Sequence, residues 1–181
     1  MLDIECKHWR IRATRIILGH GASGSASSMR PYVKALQARG LEAEAIELRK
    51  GRSLPGAEKA IPLFLSYPAE TAIGGHSFGG RVASMAAAQQ NFKALILLSY
   101  PLHRPGHPEE LRTEHWPQIK CPVIFLSGES DPFARIDLLR KSVRLIRKHE
   151  LVTYPHVGHG LLSVADDAMD HVAAFLAKQN P

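Results

Sequence analysis

The chain of 181 residues predicts an α/β protein, a three-layer sandwich around a mostly parallel sheet of six strands, and three observations carry that expectation. Short apolar runs at 15–19, 71–75, 94–98 and 122–127 have the length and composition of strands buried on both faces. Segments with helical spacing alternate with these runs almost throughout, as parallel strands require a crossover between them. The residues least expected in a core, His20 to Ser25, Ser77, Asp131 and His159, all follow strands, which gathers them at the carboxyl rim of the sheet.

Taken in order, residues 1–13 read as a weak edge strand and Arg15-Ile-Ile-Leu-Gly19 as the first core strand. The small-residue loop from His20 to Ser28 enters a helix over 28–39, with Pro31 in its first turn and Gly40 just past its end. Residues 41–48 alternate glutamate with apolar residues, which suits an edge strand with one wet face. After a loop at 49–56, residues 57–66 read as a helix that Pro62 shortens or kinks. Residues 71–75 make the third strand. The Ala-rich segment after it, residues 79–90, places Val82, Met85 and Ala86 at helical spacing. Strands at 94–98 and 122–127 follow, then a basic helix near 135–148, a sixth strand at 151–154 and an amphipathic closing helix over 161–178.

The length predicts one domain over 1–181. Lysine and arginine number 23 against 17 acidic residues, a formal charge of +6, but the basic residues are spread along the chain. The densest group, Arg135, Arg140, Lys141, Arg144, Arg147 and Lys148, falls mostly on a predicted helix, where a solvated face explains it, so no nucleic-acid partner is expected. Two cysteines, Cys6 and Cys121, without C-x-x-C spacing, argue against a disulfide framework or a structural zinc site and suit a reducing compartment. The charged N-terminus does not read as a signal peptide and no later run is long enough to span a membrane, so a cytoplasmic location is expected.

Gly75-His76-Ser77-Phe78-Gly79 matches G-x-S-x-G at a strand-to-helix junction, the pattern that holds a serine in a sharp turn with its hydroxyl presented outward. An ordinary glycine-rich turn is the bland alternative. A serine hydroxyl is a poor nucleophile at neutral pH, so it needs a histidine to take its proton and a carboxylate to orient that histidine. His159, between Gly158 and Gly160 after the last strand, is the candidate base, with His156 as competitor. Asp131, ahead of Pro132, is the candidate acid; an Asx-turn is its structural role, Glu129 is the alternative, and Asp137 should point elsewhere.

The chain order Ser77, Asp131, His159, with the loop His20-Gly-Ala-Ser-Gly24, resembles the α/β-hydrolase superfamily over nearly the whole chain. It looks like the small lidless branch with dienelactone-hydrolase-like and testis-expressed-protein-like members. The resemblance implies an α/β-hydrolase fold without a cap domain, with sheet order second, first, third, fourth, fifth, sixth strand. It also implies an oxyanion hole from the backbone N–H groups of Ala22 and Phe78, with His20, Gly21 and His76 beside the substrate. Two departures stand out: the antiparallel strands that open larger members are missing, and Ser77 replaces the cysteine of dienelactone hydrolases. A dienelactone is therefore not the expected substrate.

The segment from Tyr100 to Cys121 is too short for a cap and predicts an open, shallow pocket suited to a small ester or thioester, with no cofactor and no metal. His103 and His107 read as rim residues without supporting ligand spacing. Two rivals belong to other classes. Gly19-His-Gly-Ala-Ser-Gly24 also fits a dinucleotide-binding G-x-G-x-x-G, with Glu44 and Glu47 about twenty residues on. A P-loop fails because Ser25 stands where its lysine belongs. A non-catalytic interaction module with a retained hydrolase fold is the second rival, and the oligomeric state is not legible in the sequence.

Overall fold

Runs of Ile, Leu and Val can be buried on both faces of a sheet only when helices cover both faces. The computed structural model describes residues 14–48 and 56–179. In it β1 (Arg15–Gly19), β2 (Glu42–Ile46), β3 (Ala72–His76), β4 (Ala94–Leu98), β5 (Val123–Gly128) and β6 (His149–Tyr154) form one open sheet in the order β2-β1-β3-β4-β5-β6. Every adjacent pair is parallel. The half-exposed, Glu-containing β2 lies at an edge and the wholly buried β4 lies inside, as expected.

The helices are α1 (Arg30–Ala38), α2 (Gly56–Leu65), α3 (Phe78–Ala87), α4 (Ile136–Ser142) and α5 (Ala165–Ala177). The side-chain period of two divides β4 between the layers. Leu95 and Leu97 join Phe64 of α2, Val82 of α3 and Leu139 of α4, whereas Ile96 and Leu98 join Leu36 of α1 and Val172 of α5. Each such buried Leu or Ile contributes roughly 1.5–3 kcal/mol. Arg39 ties α1 to α5 through Asp170 at 2.7 Å and Asp166 at 2.8 Å.

The basic helix is shorter than expected. α4 stops at Ser142, a 3₁₀ turn covers Val143–Leu145, and β6 begins at His149. Sheet pairing wins there: the Val123 N–H donates to the Lys148 carbonyl at 2.9 Å, so the chain must already be extended. The like charges of Arg140 and Arg144 at i, i+4 add a further cost to continued helix. Similarly, 3₁₀ turns at Ala26–Met29 and Leu162–Val164 replace the first turns expected of α1 and α5. α2 runs through Pro62, which is exposed, as is Glu58 four residues before it, so the proline lies on the solvent-facing side of the helix.

Tyr100 packs edge-on against Trp116 with ring centroids at 5.0 Å, and Trp116 meets Phe125 at 5.1 Å. These contacts draw the β4–β5 connection down onto the sheet, and among the described residues no cap domain covers the rim. The expected edge strand at 1–13, Cys6, and most of the loop at 49–56 lie outside the described residues. Among those described, no helix is long and apolar enough to cross a membrane.

Candidate active site

Between β3 and α3 the chain reverses in a single residue. Ser77 has φ 50° and ψ −114°, a strained conformation for a residue with a side chain. It is held at both ends: its N–H donates to the Leu98 carbonyl at 2.9 Å and its carbonyl accepts from the Arg81 N–H at 3.0 Å. The flanking glycines are a packing requirement. A Cβ at either Gly75 or Gly79 would run into the backbone of Gly19 on β1, so only glycine lets strand, turn and helix meet there.

The candidate base and acid come from the connections after β6 and β5. His159 Nε2 lies 2.8 Å from Ser77 Oγ, and its Nδ1 lies 2.8 Å from Asp131 Oδ2. A carboxylate only accepts, so the proton sits on Nδ1 and leaves Nε2 to accept from the serine hydroxyl. The other oxygen, Asp131 Oδ1, accepts the Phe133 N–H at 2.8 Å, which is the Asx-turn anticipated for this residue. The Asp131 side chain has no solvent exposure, whereas that of His159 retains 22%. The two loops are bonded to each other: the Ser130 N–H donates to the Val157 carbonyl at 2.9 Å and the Glu129 N–H to the Tyr154 carbonyl at 2.9 Å.

His76 holds this arrangement from below. Its Nε2–H donates to the His159 carbonyl at 2.9 Å, which leaves Nδ1 unprotonated and facing Gly21. Burial lowers its pKa and keeps the ring neutral. This use of His76 as a brace for the His159 backbone has no signature in the sequence, since the two residues are 83 positions apart.

Two cavities flank Ser77. The larger, about 480 Å³, is bordered by Gly21, Met29, Tyr32, His76, His159 and Leu162. The smaller, about 250 Å³, is bordered by Phe78, Arg81, Pro101 and Arg112; Ala22, Ser77 and Phe133 border both. Among the described residues the backbone N–H groups of Ala22 and Phe78 make no backbone hydrogen bond, so both are left for another acceptor.

Several expectations are corrected. His20 is fully buried and does not reach either cavity; the Leu48 N–H donates to its Nε2 at 3.0 Å, and its Nδ1–H donates to the Gly21 carbonyl. His20 therefore braces the loop instead of touching a substrate. His103 is also buried, accepting the Arg135 N–H at 3.0 Å, and is no rim residue. His107 is exposed and stands with Glu109 and Glu110, although Arg104 already engages Glu110 at 2.8 Å. Of the alternatives, His156 is exposed at φ 61°, Glu129 Oε1 is taken by Arg140 and Thr153, and Asp137 pairs with Arg135.

A family model described as an alpha/beta hydrolase domain matches residues 54–176. Among solved structures the chain is similar to a predicted CIB-like hydrolase from Thermoplasma acidophilum, with TM-score 0.73 and 18% identity over 91% of this chain and 86% of that one. It is similar to a thermophilic esterase from Thermogutta terrifontis, with TM-score 0.73 and 16% identity over 93% and 91%. A monoacylglycerol lipase from Paleococcus ferrophilus gives TM-score 0.72 and 12% identity over 92% and 96%. At these identities the likeness is one of fold.

Proposed function

Because the chain belongs to the α/β-hydrolase domain family, we propose that it is a serine hydrolase cleaving a small carboxylic ester or thioester through an acyl-enzyme. Ser77 Oγ attacks the carbonyl carbon while His159 Nε2 takes its proton. Ala22 and Phe78 N–H groups receive the developing oxyanion, and Asp131 stabilises the imidazolium. The proton then passes to the leaving oxygen or sulfur, and water, deprotonated by the same nitrogen, releases the acid. The observation that carries this proposal is the continuous chain of hydrogen bonds from Asp131 through His159 to Ser77, each 2.8 Å long.

A dinucleotide site finds less support. Gly19 packs against Gly79, Glu44 is held by Arg15 at 2.6 Å, and Glu47 accepts the Ala26 N–H at 2.7 Å, so the motif's residues are already used. A reducing, cytoplasmic setting accompanies the proposal, since Cys121 is a free, buried thiol whose pKa burial pushes up to about 11.

A fluorophosphonate probe tests the reading, with labelling expected at Ser77 and nowhere else. Ser77→Ala should abolish labelling and lower turnover of short esters by several orders of magnitude, on the order of 10⁶-fold in a well-studied serine hydrolase. Wild-type protein that resists the probe and hydrolyses no ester or thioester would end the enzyme proposal.

A further inference from the structure

The two cavities beside Ser77 differ in chemistry. The larger is bordered mainly by small and apolar groups with the two histidines, whereas the smaller carries two guanidinium groups, Arg81 and Arg112, within reach of the nucleophile. Among the described residues neither arginine has an ion pair. Arg81 Nε is buried without a hydrogen-bond partner, and among the described residues the Arg112 guanidinium donates only to the Pro101 carbonyl, at 3.3 Å. Buried donors are almost always paired in folded proteins, so an orphan beside a reactive serine calls for a ligand. The cations also disfavour each other: burial first, then Arg81, lowers the pKa of Arg112. An anion between them would relieve both penalties. Glu58, exposed at the rim of the same cavity, leaves a single excess positive charge among the described residues that border it, which matches a carboxylate better than a doubly charged phosphate.

The direction of the substrate follows from which groups border each cavity. His159, which must protonate the leaving group, borders only the larger one. Phe78, whose N–H is the proposed oxyanion donor, borders only the smaller one. The leaving group therefore departs on the larger side and the acyl chain extends into the smaller.

We propose that the smaller cavity is an acyl subsite for a terminal carboxylate, bound between Arg81 and Arg112, and that the substrates are half-esters or half-thioesters of short dicarboxylic acids. The inference rests on the serine-hydrolase proposal above. The chemistry is unchanged: the Ser77 Oγ–carbon bond forms, the bond to the leaving oxygen or sulfur breaks with proton transfer from His159, and water completes hydrolysis to the dicarboxylate. The distal carboxylate is bound and does not react.

The test compares monoethyl succinate and monoethyl adipate with ethyl butyrate and ethyl hexanoate, by acid release at pH 7.5, on the purified full chain. Charge-assisted hydrogen bonds to an arginine pair predict kcat/KM about tenfold to a hundredfold higher for the half-esters. The ratio of half-ester to neutral-ester turnover should fall towards one in both Arg81→Gln and Arg112→Gln, and Arg112→Lys should restore part of it. Ethyl 3-phosphonopropanoate separates the two anion classes; a preference for it over monoethyl succinate would overturn the carboxylate assignment. Equal or lower turnover of the half-esters by wild-type protein, including none of either, overturns the inference. So does a half-ester preference that survives both glutamine variants. Labelling of Ser77 by a fluorophosphonate in the same preparation distinguishes a failed subsite from a failed hydrolase: neutral-ester activity with labelling and no preference sinks only the former.

Discussion

The connection after β3 and the connection after β6 both deliver a side chain of the candidate site to the rim, but by different physical means. β3 is paired on both sides, by β1 and β4, and four of its five residues are buried, whereas among the described residues β6 is paired only by β5 and is half-exposed throughout. At the inner connection three glycines, Gly19, Gly75 and Gly79, bring backbone against backbone, and the serine has nowhere else to go. At the outer one His159 sits in a loop positioned by directional bonds to His76, Asp131 and the 128–131 segment. Steric exclusion places Ser77 and hydrogen bonding places His159. Damage to the first should register as lost stability, and damage to the second as lost activity in a protein that still folds.

The largest expected effect is at the inner connection. Gly79→Ala adds a methyl where the Gly19 backbone already stands, with no side chain to give way, and should destabilise by about 3 kcal/mol or more. At about 2–4 °C of Tm per kcal/mol for a chain of this size, calorimetry should show a fall of roughly 6–12 °C or insoluble protein. A Tm within about 1 °C of wild type would show that the elbow is looser than its glycines imply.

Gly128→Ala is the counterpart at the outer pair of loops. Its Cβ would meet the backbone carbonyls of Val157 and Gly158, so the loop that carries His159 must shift to admit it. Ester turnover should fall about a hundredfold, the typical result of a 1 Å misplacement, with a smaller fall in Tm than for Gly79→Ala. Equal losses in the two variants would erase the distinction between the connections.

His76→Ala removes the donor to the His159 carbonyl. One hydrogen bond, about 1 kcal/mol, predicts a drop of several-fold in kcat. As a positioning residue, His76 should affect kcat more than KM, and His76→Gln, which restores an N–H, should recover part of the loss; an effect confined to KM would assign it to substrate contact instead.

A last effect, seen only as pH is varied, concerns acid. Ser84 on α3 donates to the Arg81 carbonyl at 2.7 Å, so it accepts from His115 Nε2–H at 2.7 Å, which ties the elbow helix to the β4–β5 connection. Burial pushes the His115 pKa down to about 4. The unfolded chain takes up this proton near pH 6.5 and the folded protein does not until about pH 4. Stability from this residue is therefore complete above the unfolded pKa, declines as pH falls between the two values, and levels off below. The Tm advantage of wild type over His115→Gln should shrink across that window; a difference independent of pH would place the histidine in water when folded.

Much of this molecule is written locally. Ser77 could be picked out because a glycine-flanked reversal between a buried strand and an Ala-rich helix is a property of five adjacent residues. The end of α4 could not, because its basic residues are good helix formers and only pairing of Val123 with His149 decides where helix yields to strand. His20 shows the same limit: as a polar residue in a small-residue loop it suggests a substrate contact, yet its environment is made by the Leu48 N–H, 28 positions away.

Element order, the parallel sheet with β2 at its edge, and the serine turn were determined by the sequence itself, because they follow from hydrophobic periodicity and steric limits acting over a few residues. The selection of Asp131 over Glu129 and of His159 over His156, the bracing by His76, and the meeting of Arg81 with Arg112 were decided by tertiary structure. Each depends on which side chains face one another across loops joined to different strands, and no local pattern encodes that. Arg140 and Thr153 capture Glu129 and an Asx-turn aims Asp131, so two carboxylates two residues apart acquire opposite fates.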